Sequence, residues 1–313
     1  MKHFPAGIAV TALFAAMLFF PKAVFIGASE GLLLWFQIIF PTLFPFLLIT
    51  NLLMSSGGLR FIAGVLGKPF RCLFRVSQNG AFAVLSGFLC GYPMGAKVTA
   101  DLLRKKLITK DEAQYLLSFC NNTSPIFIIN FIVWKTFGQE KLLIPTLCIL
   151  ILTPVLLSFI FRRFYLHGRK YFTDPVQDPR TAGPSFHFSD LDACLNDSFE
   201  AIVKVGGYII IFSVLLSLLS ILPIREDLFL MTAPALEMTN GILLLKERID
   251  NFLLCYPAVL ALTSFGGLCA AAQTQCMLDG TGLPFFPYII EKLAAALAAS
   301  LLAILYVLFL YPS

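Results

Sequence analysis

Gly91-Tyr92-Pro93-Met94-Gly95-Ala96-Lys97 interrupts the apolar segment 80–103, and the path of the chain through these seven residues decides the fold. Arg60, Lys68, Arg71 and Arg75 precede the segment; Arg104, Lys105, Lys106 and Lys110 follow it. Basic loops stay in the cytoplasm, so both flanks lie on one side of a bilayer. The segment between them must therefore enter and leave on the same side. Glycine and proline at its centre break the helix there. Such irregular backbone survives at membrane depth only when buried in protein or lining a wet cavity.

The membrane premise follows from composition. The 313 residues are 58% hydrophobic and 13% charged, against about 25% charged in soluble domains, and mean hydropathy is +0.84. No soluble fold can solvate such a chain. A crossing needs about 20 apolar residues, and six segments supply them: 4–21, 31–54, 113–134, 142–161, 199–222 and 285–311. The first follows Lys2 and His3 like a signal peptide, but no clear cleavage site follows Lys22, so it is read as a retained helix.

A second stretch, 251–278, is also apolar but interrupted, at Gly266-Gly267. The preceding region 223–250 is acidic, with Glu226, Asp227, Glu237, Glu247 and Asp250 outweighing Arg225, Lys246 and Arg248. That balance suits the outside, so the sequence predicts a second re-entrant hairpin entering from there. Arg162, Arg163, Arg169, Lys170 and Arg180 mark a third cytoplasmic loop. The expected fold is all-α, an integral membrane protein with about six full transmembrane helices and two re-entrant or broken helical hairpins.

An internal repeat points toward transport. Ser86-Gly87-Phe88-Leu89-Cys90 is similar to Ser264-Phe265-Gly266-Gly267-Leu268-Cys269, and span 31–54 should run inward while 199–222 runs outward. Halves related in this way form the inverted repeats of secondary transporters. The connection 167–197, polar and carrying Pro175, Pro179 and Pro184, reads as a cytoplasmic linker.

Four motifs are candidates for solute binding. In the first, Tyr92 and Gly95 shape a helix start with partial positive charge and Lys97 adds a full one, although Lys97 can equally pair with Asp101 at i,i+4. Within 113–134, Asn121, Asn122, Thr123 and Ser124 precede Pro125, which predicts a broken helix whose amides and hydroxyls contact a solute or tie helices together. Glu237 and Asn240 flank a third turn ending in Gly241, with Glu237 either a cation or proton site or a loop acid. Gln273 follows the Gly266-Gly267 break as a polar contact or a packing residue.

Other classes are excluded or disfavoured. The charge of +5 is scattered, with no basic stripe for nucleic acid. Eight cysteines form no CxxC pair and His3, His167 and His187 lie far apart, so no metal, cofactor or disulfide framework is expected. No HExxH, P-loop or GxSxG motif appears, and an enzyme is not expected.

The run from Leu85 through Asn122, with its GYPMGAK and Cys-Asn-Asn motifs, together with 236–241 and 264–268, resembles the YlbJ (SpoVV) type of sporulation integral membrane proteins. These belong to the nucleoside-recognition Gate-domain superfamily. The chain is thus expected to divide into an N-terminal transmembrane helix, 1–30, a first Gate-like repeat, 31–166, the cytoplasmic linker 167–197, and a second, inverted Gate-like repeat, 198–313, with the resemblance covering most of the chain from about 31 onward. The resemblance also implies a multi-pass protein of the mother-cell-derived outer forespore membrane that moves dipicolinic acid. A nucleoside or nucleobase carrier and a non-transporting sporulation scaffold are the alternatives, and partners besides lipid would be other sporulation membrane proteins or a second copy of the chain.

Overall fold

The computed structural model describes residues 4–56, 58, 68–166, 172 and 188–311, and among these there is no β-strand. Most of the expected linker, 167–171 and 173–187, lies outside the described residues. The chain begins with α1 (Phe4–Phe19) and α2 (Pro21–Leu34), which continues through a π turn into α3 (Phe40–Ser55). Next come α4 (Gln78–Cys90), α5 (Met94–Arg104), α6 (Lys110–Cys120) and α7 (Pro125–Phe127, continued by a π-wound stretch Ile128–Phe137). After them stand α8 (Leu143–Tyr165), α9 (Phe188–Leu219), α10 (Glu226–Thr232) and α11 (Met238–Arg248). The chain closes with α12 (Phe252–Phe265), α13 (Gly267–Met277) and α14 (Phe285–Phe309). Among the described residues six helical runs are long and apolar enough to cross a bilayer, Pro21–Ile39, Lys110–Phe137, Glu140–Tyr165, Leu191–Leu219, Phe252–Met277 and Phe285–Phe309; four of them overlap the expected spans from 113 onward, whereas 4–21 and 31–54 give way to Pro21–Ile39 and Phe252–Met277.

Local chemistry sets the helix starts. Ser77, Thr109, Ser124, Glu237 and Asn251 each accept a hydrogen bond from a backbone amide in the first turn that follows, which satisfies donors that the helix leaves open. Thr109 is the cap predicted for α6, while the Glu112 carboxylate also accepts from Ser77 N at 2.6 Å and ties the starts of α4 and α6 together.

Contacts between loops define the two ends of the bundle. At one end Arg104 donates to the carbonyls of Met277 and Asp279, both at 2.7 Å, and Gln114 donates to Pro284 O at 3.2 Å. At the other, Phe252 lies 4.6 Å from the Tyr311 ring and 5.9 Å from Phe137, and Tyr311 donates to Gln139 at 2.8 Å. Arg104, Lys105, Lys106 and Lys110 cluster at the first end, which the positive-inside rule makes cytoplasmic.

The hairpin expected at 80–103 is present: α4 and α5 pack along one another, and Asn79 donates to Leu107 O at 3.1 Å, so both arms meet the cytoplasmic end. The second interrupted stretch differs from expectation. Phe252 sits at the outer end and Met277 at the cytoplasmic end, so Phe252–Met277 crosses as a broken helix. The outer hairpin is instead α10–α11, whose mouth is closed by an Arg248–Glu226 ion pair at 2.9 Å. A glycine pair interrupts a helix in the same way whether the chain turns back or runs on. Consequently Ser86–Cys90 and Ser264–Cys269 occupy unlike elements, one a hairpin arm and the other a break in a crossing.

Lipid tails are as apolar as leucine, so helices here associate by close packing of small residues. Gly27 and Gly31 of α2 let α9 approach so closely that a Cβ at either would lie within 3 Å of α9 backbone. On α14, Ala295, Ala299 and Ala303 are buried, while Leu293, Leu297, Leu301 and Leu305 are exposed on the opposite, lipid-facing side.

Candidate functional site

Four helix breaks meet inside the bundle. They are Gly91–Pro93 at the tip of α4–α5, Asn121–Ser124 between α6 and α7, Ala233–Glu237 at the tip of α10–α11, and Gly266 between α12 and α13. Together they enclose a cavity of about 80 Å³ lined by Gly91 and Tyr92, Thr123 and Ser124, Glu237 and Thr239, and Gly266 and Gln273. Apolar walls come from Leu43, Val205 and Ile209 of α3 and α9. Each break is followed at once by a helix, so the N-termini of α5, α7, α11 and α13 converge on one small space. Helix N-termini carry partial positive charge and open amides, which favour an anion.

Glycine makes the convergence possible. Added Cβ atoms at Gly87 and Gly95 would stand 1.9 and 2.4 Å from the Cys120 carbonyl oxygen, and one at Gly91 would stand 2.7 Å from Ser124 N. The three lie four residues apart, so the hairpin presents a bare edge on which the unwound strand rests. Gly91 also adopts φ +81°, a conformation that side chains disfavour.

Polar contacts hold the breaks to one another. Thr123 Oγ1 stands within hydrogen-bond reach of both Tyr92 Oη, at 3.0 Å, and Thr263 O, at 2.9 Å, with its single proton serving one or the other, and Tyr92 Oη donates to Met238 Sδ. Asn121 Nδ2 donates to Thr274 Oγ1 at 2.8 Å and Tyr288 Oη at 2.9 Å, while its Oδ1 accepts from Ala96 N at 3.3 Å. Glu237 is buried and accepts from Thr239 N at 2.9 Å and Asn240 N at 2.8 Å, so its carboxylate sits on the α11 N-terminus at the cavity wall.

Of the residues singled out in the sequence, Tyr92, Thr123, Ser124, Glu237 and Gln273 line this cavity. Gly95, Asn121 and Asn122 form its supporting layer, with Asn122 Nδ2 bonded to Phe119 O. Lys97 lies elsewhere: it pairs with Asp101 at 2.7 Å, reaches Asn51 at 3.3 Å, and lines a separate cavity of about 200 Å³ with Lys105 and Asp197. Asn240 donates to Ser213 at 3.2 Å in a groove between α2, α9 and α11.

Two ionisable residues were not anticipated. Glu291 and Lys292 sit inside α14, 5% and 2% exposed. Glu291 accepts from Tyr165 Oη of α8, and its other oxygen has no partner among the described residues. Lys292 Nζ donates to Asn121 O at 3.0 Å. The signal was available, since adjacent charges about two turns inside the apolar span 285–311 are costly in lipid and mark function.

The fold and site define a multi-pass α-helical membrane protein whose helix breaks gather, inside the bundle, round a largely apolar cavity edged by polar groups. Residues 36–140 match the family model "Gate: Nucleoside recognition". The chain is 30% identical to the sporulation integral membrane protein YlbJ of Bacillus subtilis (strain 168), over 94% of this chain and 80% of that protein. It belongs to that family of sporulation integral membrane proteins. No solved structure matches it.

Proposed function

We propose that this protein is a carrier of a small anionic solute, and that the solute is dipicolinate, moved across the outer forespore membrane. The single observation that carries the reading is the meeting of four helix breaks at one cavity, the architecture by which secondary transporters bind solute near the midplane. Two hairpins entering from opposite ends and two broken crossings supply it in pairs: α4–α5 with α10–α11, and α6–α7 with α12–α13. The pairing supports an inverted repeat in which 31–166 and 198–313 are the two halves.

At about 80 Å³ the cavity is far below the roughly 300 Å³ of ordinary ligand pockets, which supports a closed stage of an alternating cycle. Converging N-termini favour carboxylates, the Tyr92 ring and hydroxyl suit an aromatic acid, and Gln273 and Thr123 supply neutral polar contacts. Glu237, already seated on one N-terminus, holds the place that a solute carboxylate would contest.

The test is uptake of labelled dipicolinate by proteoliposomes containing the purified chain, in competition with unlabelled nucleosides. Dipicolinate uptake reduced by Thr123→Val and Tyr92→Phe, and indifferent to nucleosides, supports the reading. Uptake of nucleosides in preference transfers the site to the solute class in the family model's description. No uptake of either favours a scaffold.

A further inference from the structure

Lys292 lies seven residues beyond Phe285, the first residue of α14, about 10 Å in from the cytoplasmic end of that helix. Its Nζ donates to Asn121 O at 3.0 Å, stands 3.5 Å from Asn122 Oδ1 and lies 5.9 Å from the centre of the Tyr92 ring. Among the described residues no carboxylate comes within ion-pair distance; Glu291, its sequence neighbour, turns instead to Tyr165 of α8. The ammonium is thus held by oxygen dipoles and a ring face alone.

Those oxygens belong to the C-terminal end of α6, where the helix dipole is negative and the backbone unwinds. An unwound carbonyl, a neighbouring side-chain oxygen and the C-terminal end of a half-helix are also the donors with which discontinuous helices of secondary transporters hold Na⁺. Here the site is filled by a side chain from another helix.

We propose that Lys292 is a tethered cation occupying the coupling-ion position at the α6–α7 break, so that the chain itself supplies the charge that a bound Na⁺ would supply and the carrier needs no sodium. The inference rests on the transport reading for its purpose, but the cation site can be tested without transport.

The purified chain is unfolded thermally in detergent in NaCl or in choline chloride of equal ionic strength, and its dipicolinate uptake in liposomes is measured in both salts. Wild type should unfold at one temperature in either salt and transport equally in both. Lys292→Ala should gain thermal stability with Na⁺ in a saturable manner, lose about tenfold or more of its uptake in choline through the orphaned carbonyl, and recover part of it in Na⁺. Sodium dependence of the wild type, or a folded Lys292→Ala variant indifferent to Na⁺ in the unfolding assay, overturns the proposal. Where Lys292→Ala does not fold, Lys292→Met keeps the stem, and its indifference to Na⁺ is equally fatal. A wild type that moves neither dipicolinate nor nucleosides defeats the transport reading, while the unfolding comparison still decides the cation site.

Discussion

Gly87→Ala should damage this protein although it adds one methyl group to a good helix position. The new Cβ would stand 1.9 Å from the Cys120 carbonyl oxygen and 2.9 Å from its carbonyl carbon, where carbon contacts are comfortable at about 3.5 Å. Both atoms are backbone at the end of α6, so no side-chain rotation relieves the overlap. Either the hairpin arm or the unwound strand must shift by more than about 1 Å, which puts the cost at or above the top of the usual 1–3 kcal/mol for overpacking. The alanine recovers about 1 kcal/mol of helix propensity. A net loss of about 2 kcal/mol or more lowers the unfolding temperature by roughly 3 °C or more for a chain of this size. The control is Gly207→Ala in α9, where nothing lies within 4 Å of the added Cβ and propensity should prevail. Thermal unfolding in detergent compares the two, with cavity integrity read from dipicolinate uptake. If Gly87→Ala is as stable and as active as Gly207→Ala, the close seating of the hairpin on the strand is refuted.

Tyr165→Phe removes the donor to a buried carboxylate and should cost about 1–3 kcal/mol, whereas Glu291→Gln in the same background should recover part of that loss in a double-mutant cycle read by thermal unfolding. Asn121→Ala breaks bonds to α5, α13 and α14 together and should destabilise by about 3 kcal/mol, with uptake falling in parallel. Arg104→Ala should release the 277–284 loop, seen as faster hydrogen exchange of its amides with little change in solute affinity. Lys97→Ala, which removes an i,i+4 ion pair outside the cavity, should alter the solute concentration for half-maximal uptake less than Thr123→Val does.

The inner hairpin was readable because its flanks carry the same charge sign and its tip carries glycine and proline, so sidedness and breakage agree. The outer hairpin was not, because α10 spans seven residues, its polar flanks look like any external loop, and only the Glu226–Arg248 contact shows that its two ends meet. Gly266-Gly267 drew the hairpin reading to itself, since the side on which 278–284 lies is shown by tertiary contacts, the Arg104 and Gln114 bonds, that the local sequence does not announce. At the site, hydroxyls and amides beside Pro125 announced the broken helix, but which of them face the cavity depends on how Gly87, Gly91 and Gly95 seat the strand. Lys97 was drawn in by its charge, and its partner Asp101 was visible at i,i+4. Lys292 escaped because hydropathy averaged over 285–311 absorbs the adjacent Glu291-Lys292 pair, though charges within a span were themselves the clue.

The notched edge formed by three glycines has a mechanical corollary. With no side chain between the α4–α5 tip and the Cys120–Ser124 strand, there is no lubricating layer on which one could slide over the other. In the proposed carrier, hairpin and strand would therefore travel as one leaf, carrying the Lys292 anchorage with them, and the seam that opens for a solute would run along the other wall of the cavity, lined by the greasy side chains of Leu43, Val205 and Ile209.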